Sequence, residues 1–322
     1  MHKSVFLFSV DAKLVEQASD IKVDSVFISS RDAETDKIRL IKQKFSDVSV
    51  YVEINIFAGA DVLKKFPDAK PVEAVGKATA KDWYVGVCPT HEGVRTFALD
   101  KIRRVLQEGI DGVWLDFIRY PTKWEEPQPY LLDTCYCPRC MSLFEQYVGE
   151  KVAAGNLEEL ALLIDGSYYH EWLEFKTDQI ASLVSEAKKL VTAAKSGVKL
   201  GAFVLPWEDK EYGAGIKRLV AQDFAKFAQF VDIFSPMLYH KMCGKDVSWV
   251  KQKVDYFWGV GTPFLPLIQT ESRVSEISPE EFVLALEYAS AKPAMGVCVF
   301  FFDDLVKRPE LLEVARRFFV GG

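Results

Sequence analysis

Eight short runs of β-branched and aromatic residues recur along the whole chain, and they set the strongest limit on how it can fold. They lie at 4–9, 25–29, 49–57, 112–118, 199–205, 231–238, 263–268 and 296–302. A strand with one wet face alternates apolar and polar residues, whereas these runs are apolar at nearly every position. That pattern belongs to parallel strands covered on their outer face by helices. Charged amphipathic stretches fall between the runs, for example at 96–108, 171–194, 216–230, 279–291 and 309–319. Eight strands, each followed by a helix, predict an α/β fold, a closed (β/α)8 TIM barrel. No Gly-rich phosphate turn follows the first strand, which argues against a doubly wound sheet.

Two connections are too long to be plain turns: 58–89 after the third strand and 120–170 after the fourth. Long strand-to-helix connections lie on the C-terminal face of a barrel, where binding and catalysis are built. The expectation is one domain over 1–322, with a helical insertion at about 120–195.

Apolar residues make up 49% of the chain, enough to fill such a core. The net charge is −6 and no Lys/Arg stripe stands out, so nucleic acid is not an expected partner. The run 5–10 is too short for a signal-peptide core, and no stretch approaches the roughly 18 apolar residues of a membrane span. A soluble cytoplasmic protein is expected, with no membrane partner; a homo-oligomer is compatible with the composition. In a reducing compartment clustered thiols bind metal more often than they pair.

Such a cluster is present: Cys135, Cys137 and Cys140 fall within six residues around Pro138. A turn there would aim three sulfurs at one point, as a tetrahedral Zn²⁺ requires. Cys88, followed by Pro89 at the end of the other long connection, is the leading fourth ligand; His91, Cys243 and His240 are alternatives. Four protein ligands leave no open position, so the Zn²⁺ is expected to be structural. Cys298, inside the eighth strand, reads as a small buried hydrophobe.

Asp116 ends the fourth strand, in the run Asp111 to Pro121. A carboxylate in an apolar strand is costly unless it is paired or solvated in a site. Arg119, three residues on, offers a plain structural pairing; a nucleophile or general acid/base is the functional alternative. The order of Cys88-Pro89, then Asp111–Asp116, then Cys135–Cys140 resembles the layout of zinc-carrying β-galactosidases and uncharacterised barrel glycoside hydrolases. That resemblance implies Cys88 as the fourth zinc ligand. The pattern Asp-Gly-x-x-Leu-Asp-x-x-Arg-Tyr-Pro is similar to the fourth strand of amylase-related and uncharacterised barrel glycosidases, which implies Asp116 as a catalytic carboxylate. The run Asp232 to His240 is similar to the sixth strand of the same families.

Glycoside hydrolysis needs a second carboxyl. Glu208, at the end of the fifth strand beside Trp207, is the expected partner, as in the amylase-like relatives. Glu53, Asp303 and Asp304 are further strand-end acids. The β-galactosidase pattern of glutamates after the fourth and seventh strands is absent, since Asp116 stands at one and Gln269, followed by Glu271, at the other. Seven tryptophans and twelve tyrosines exceed what a core needs. Trp114, Trp124, Trp207 and Tyr239 are therefore candidate sugar-stacking surfaces. Glu53, Asn55, Arg119, Tyr239, His240, Gln269 and Asp303 are candidate hydroxyl-binding groups. The expected function is glycoside hydrolysis of a carbohydrate substrate. The alternatives are a carbohydrate-binding protein on a hydrolase scaffold and a hydrolase that uses the cysteine-bound zinc.

Overall fold

The structure, a computed structural model, describes residues 1–45, 47–74, 84–194 and 196–320. Eight strands form a closed, wholly parallel barrel in sequence order. They are β1 (His2–Leu7), β2 (Ser25–Ser29), β3 (Ser49–Asn55), β4 (Gly112–Asp116), β5 (Lys199–Val204), β6 (Ile233–Leu238), β7 (Leu267–Gln269) and β8 (Gly296–Phe300). β8 closes on β1, with His2 opposite Gly296. Every expected strand forms, several a residue or two shorter than its apolar run. β7 is the shortest because Pro263 and Pro266 remove two donors from its run, and only an isolated bridge joins Phe264 to Phe234.

The outer layer contains α1 (Ala12–Ser19), α2 (Thr35–Lys44), α3 (Ala60–Lys65), α4 (Glu92–Val105), α5 (Pro138–Val148), α6 (Leu157–Ser167) and α7 (Tyr169–Ala194). It continues with α8 (Gly215–Arg218), α9 (Phe224–Phe227), α10 (Ser248–Val260), α11 (Pro279–Ser290), α12 (Phe302–Leu305) and α13 (Pro309–Val320). The helix expected over 216–230 is thus corrected to two short turns. Ala221 between them has φ +57°, outside the helical region. Beside it, buried Gln222 turns its side chain to β5, accepting from the Leu205 N–H at 2.9 Å. Asp223 then caps α9 by accepting from the Ala225 and Lys226 amides. Among the described residues no helix is long and apolar enough to cross a membrane.

Inward positions of the barrel are filled by rings. Trp114 stacks on Tyr51 at 4.4 Å and meets Phe27 edge-on at 5.0 Å. Its indole occupies the space over Gly201, its register partner on β5, where a Cβ would stand 2.0 Å away. Glycine is required there by that close approach. The insertion between β4 and β5 carries its own smaller core, in which Tyr136, Phe144, Trp172 and Phe175 pack together. Tyr136 stacks on Trp172 at 5.4 Å.

Candidate functional site

The C-terminal mouth of the barrel holds a cavity of about 650 Å³. That is the size expected of a small-molecule or sugar site. Five of the sequence-derived candidates line it: Glu53, Asn55, Asp116, Arg119 and Tyr239. Glu53 and Asn55 alternate along β3, while Asn55 and Asp116 are register partners across β3 and β4. Period-two alternation therefore aims all three inward.

Just past Asp116 the alternation breaks. Phe117 has φ +50°, a strained conformation for a bulky residue. Its N–H donates to Asp116 Oδ1 at 2.7 Å. The turn lets Asp116, Phe117 and Arg119 all face the cavity. The Arg119 guanidinium lies 4.7 Å from the Phe117 ring centre. Arg119 forms no salt bridge with Asp116, and its Nε and Nη1 are buried without a partner among the described residues. The plain structural pairing of Asp116 with Arg119, the alternative to a functional role, is therefore not formed.

The acids of the cavity differ in their surroundings. Burial, reinforced by the charge of Asp116, pushes Glu53 up to about 8, although Lys101 opposes it. Burial also raises Asp116, while Arg119 and the Phe117 N–H pull it back. A third carboxyl, Glu125, faces the same space from the segment after β4. It too is raised by burial, against the pull of Arg119. Glu53 Oε1 and Asn55 Oδ1 are buried acceptors without partners among the described residues. Burial keeps the Tyr239 hydroxyl protonated, and the charges of Asp116 and Glu125 reinforce that. Its ring is sandwiched between Trp124 at 5.6 Å and Phe300 at 5.2 Å.

The remaining candidates lie outside the cavity lining. Glu208 turns away and pairs with Lys253 at 2.9 Å, so it does not share a site with Asp116. Trp207 is buried against Tyr212 and Gly215. Trp114 fills the barrel interior and donates its indole N–H to Ser235 Oγ at 2.9 Å. His240 is buried with Nε2 on Glu281 at 3.1 Å. Gln269 accepts from the Met242 N–H and donates to the Glu271 carbonyl. Asp303 ties β8 to β1 by accepting from the Phe8 and Ser9 amides. Each is a core ring or a polar group bonded within the protein, although His240 Nδ1 has no partner among the described residues, and strand-end position alone does not distinguish these from a ligand contact.

Sequence reasoning passed over Glu125, Arg31, Arg273 and Phe8, all in the cavity wall. Glu125 directly follows Trp124, which had been singled out as a top-face aromatic. An acid beside that ring in a long mouth connection was the available signal. Phe8, 49% exposed, is the large aromatic surface that the cavity leaves uncovered.

The second polar cluster joins Cys88, Cys135, Cys137 and Cys140, all buried and all free thiols, with ligand atoms within 4.8 Å of one another. Cys88 Sγ is 3.8 Å from Cys137 Sγ and 3.4 Å from Cys140 Sγ. A tetrahedron with metal–sulfur bonds of about 2.3 Å has edges of about 3.8 Å, so the four thiols fit a Zn²⁺. Cys137 caps α5 by accepting from the Cys140 N–H, and Thr90 Oγ1 is 3.2 Å from both Cys88 Sγ and Cys140 Sγ. The Val72 N–H donates to Cys135 Sγ, so the cluster joins three chain segments. The other ligand candidates are placed elsewhere: His91 bonds Asp68, His240 bonds Glu281, and Cys243 lies outside the group.

No family model matches the sequence. An S-layer-related protein of Niallia circulans is 26% identical over 147 residues, covering 40% of this chain and 8% of its own length. Among solved structures, a β-galactosidase from the haloarchaeon Halorubrum lacusprofundi superposes with a TM-score of 0.67 at 12% identity. The match covers 94% of this chain and 52% of that one. Such neighbours are glycoside hydrolases. A GH18 chitinase from Cycas revoluta matches over 98% of this chain and 99% of its own, with a TM-score of 0.57 at 10% identity. The barrel is thus of the kind that glycoside hydrolases use, and the chain spans about half the length of the β-galactosidase. The resemblance seen in the strand-four and cysteine motifs agrees with this fold.

Proposed function

We propose that the protein is a glycoside hydrolase acting on an oligo- or polysaccharide with Asp116 and Glu125 as its carboxyl pair. The observation that carries this reading is the convergence of four carboxyls, three guanidiniums and an exposed aromatic ring on one cavity of a glycosidase-type barrel. Asp116 and Glu125 remain partly open to the cavity, whereas Glu53 is 5% exposed. Burial raises Asp116, but the Phe117 N–H and Arg119 pull it back, and it is the carboxyl that we assign as nucleophile or base. Glu125, raised by burial, is the proton donor to the leaving oxygen. Glu53, neutral up to about pH 8, is a positioning residue: uncharged, it adds no second anion beside Asp116. Phe8 offers a face on which a sugar ring stacks.

We further propose that Cys88, Cys135, Cys137 and Cys140 hold a structural Zn²⁺. When bound, the metal would cross-link the segment before α4, through Cys88, to the segment that leads into α5, through Cys135, Cys137 and Cys140, with no coordination position left for substrate. This disfavours a zinc-dependent hydrolase.

The test is release of reducing sugar from a glycan panel by the wild type, D116N and E125Q, with melting temperatures taken in parallel. Turnover by the wild type, lost in both folded variants, is expected. Binding of glycan without any release by the wild type would favour the carbohydrate-binding alternative.

A further inference from the structure

The chain has twelve arginines. Nine of them donate from the guanidinium to a protein acceptor, as Arg139 does to Asp68 and Arg104 to the Ser30 carbonyl. Three do not, among the described residues: Arg31, Arg119 and Arg273. All three line the mouth cavity. They come from separate places on the barrel rim, after β2, β4 and β7. A random scatter of unpaired surface arginines would not collect around one cavity.

Burial sharpens the point. Arg119 is 1% exposed, and its Nε and Nη1 have no partner among the described residues. A buried charged donor left unsatisfied is costly unless a ligand completes it. The other charges nearby do not use up this positive group. Lys123 is paired with Glu126. Glu53 is uncharged at neutral pH, so three guanidiniums face at most two carboxylates, on Asp116 and Glu125. The chain as a whole carries −6, so this cavity runs against the sign of its surroundings. Arg31 also lies 5.4 Å from the Phe8 ring centre, which sets a cation beside the exposed aromatic face.

We propose that the cavity selects an acidic glycan, one whose sugar units carry carboxylate or ester sulfate groups that the guanidiniums of Arg31, Arg119 and Arg273 bind. Planar guanidinium forks match such oxyanions, often through two hydrogen bonds at once. The inference rests on the cavity being the glycan site, and it names the substrate class for that site.

Binding is measured by isothermal titration with the full chain, using two matched pairs of polymers: polygalacturonate against neutral galactan, and dextran sulfate against dextran. The acidic member is expected to bind at least about tenfold more tightly than its neutral partner. Binding should weaken as salt rises. The R31Q/R273Q variant should lose about tenfold or more of that affinity with its melting temperature unchanged, since neither guanidinium bonds the protein. K189Q, at an exposed position on α7, should bind as the wild type does. Preference for polygalacturonate identifies carboxylate as the recognised group, and preference for dextran sulfate identifies sulfate. Equal binding of neutral and acidic polymers, no binding of either acidic polymer, or full affinity in R31Q/R273Q overturns the proposal. Acidic glycan bound but never cleaved upholds this inference and refutes the hydrolase reading; preferential cleavage of neutral glycan does the reverse.

Discussion

The two buried polar clusters of this protein are built on opposite plans. In the cysteine cluster every sulfur faces another sulfur, a hydroxyl or an amide, and the group closes on itself. At the barrel mouth, acceptors on Glu53 and Asn55 and donors on Arg119 are left without partners among the described residues. A satisfied polar cluster holds chain segments together, whereas an unsatisfied one is held in place by its surroundings and waits for a ligand. On this contrast we propose a stabilising role for the first and a functional role for the second.

The largest break in that comparison comes at Asp116. D116N should lower turnover by about 10³-fold or more, with a melting temperature equal to or above that of the wild type. Activity assays and thermal melts on one preparation check both halves. Unfolding of D116N would show that the mouth is structural after all.

C137S should do the converse. We expect it to lose the one zinc per chain, measured by elemental analysis, and to lower stability by several kcal/mol, because binding energy at such a site is folding energy. Melting and activity should fall together. A chelator that removes activity while the melting temperature stays constant would contradict a structural role.

E53Q sharpens the boundary between the two plans. Folded, Glu53 keeps its proton to about pH 8, whereas unfolded it ionises near 4.5. Between those values the folded state binds the extra proton, so wild-type stability declines as pH rises and levels off above about 8. E53Q removes that slope, and its stability advantage should grow from pH 5 to 8 and then hold. The alkaline limb of the activity profile near pH 8 should move in the same variant. The smallest effect belongs to E208Q. It removes the more exposed of the two acids paired with the buried Lys253, which keeps Glu211 at 2.7 Å, and should cost about 1 kcal/mol, with turnover within about twofold of the wild type.

Much of this was legible in the sequence. The apolar runs carried the barrel because parallel strands buried on both faces leave a continuous signature. The cysteine spacing carried the thiol cluster because three sulfurs around one proline have few other places to go. Asp116 was legible as a lone acid closing an apolar strand. Glu125 was not, because the segment after β4 has no periodicity to say which of its side chains turns inward. Glu208 misled for a related reason. Its position at the end of β5 was read correctly, but the Lys253 that draws it away lies 45 residues further on. Trp114 misled because its neighbour Gly201, which makes room for it inside the barrel, lies on the next strand.

That same indole has a consequence for traffic. With Trp114, Tyr51 and Phe27 packed together inside the barrel, the mouth is a dead end and not a tunnel. Under the proposed function, a polymer would be presented at the rim, and any product would leave by the same opening.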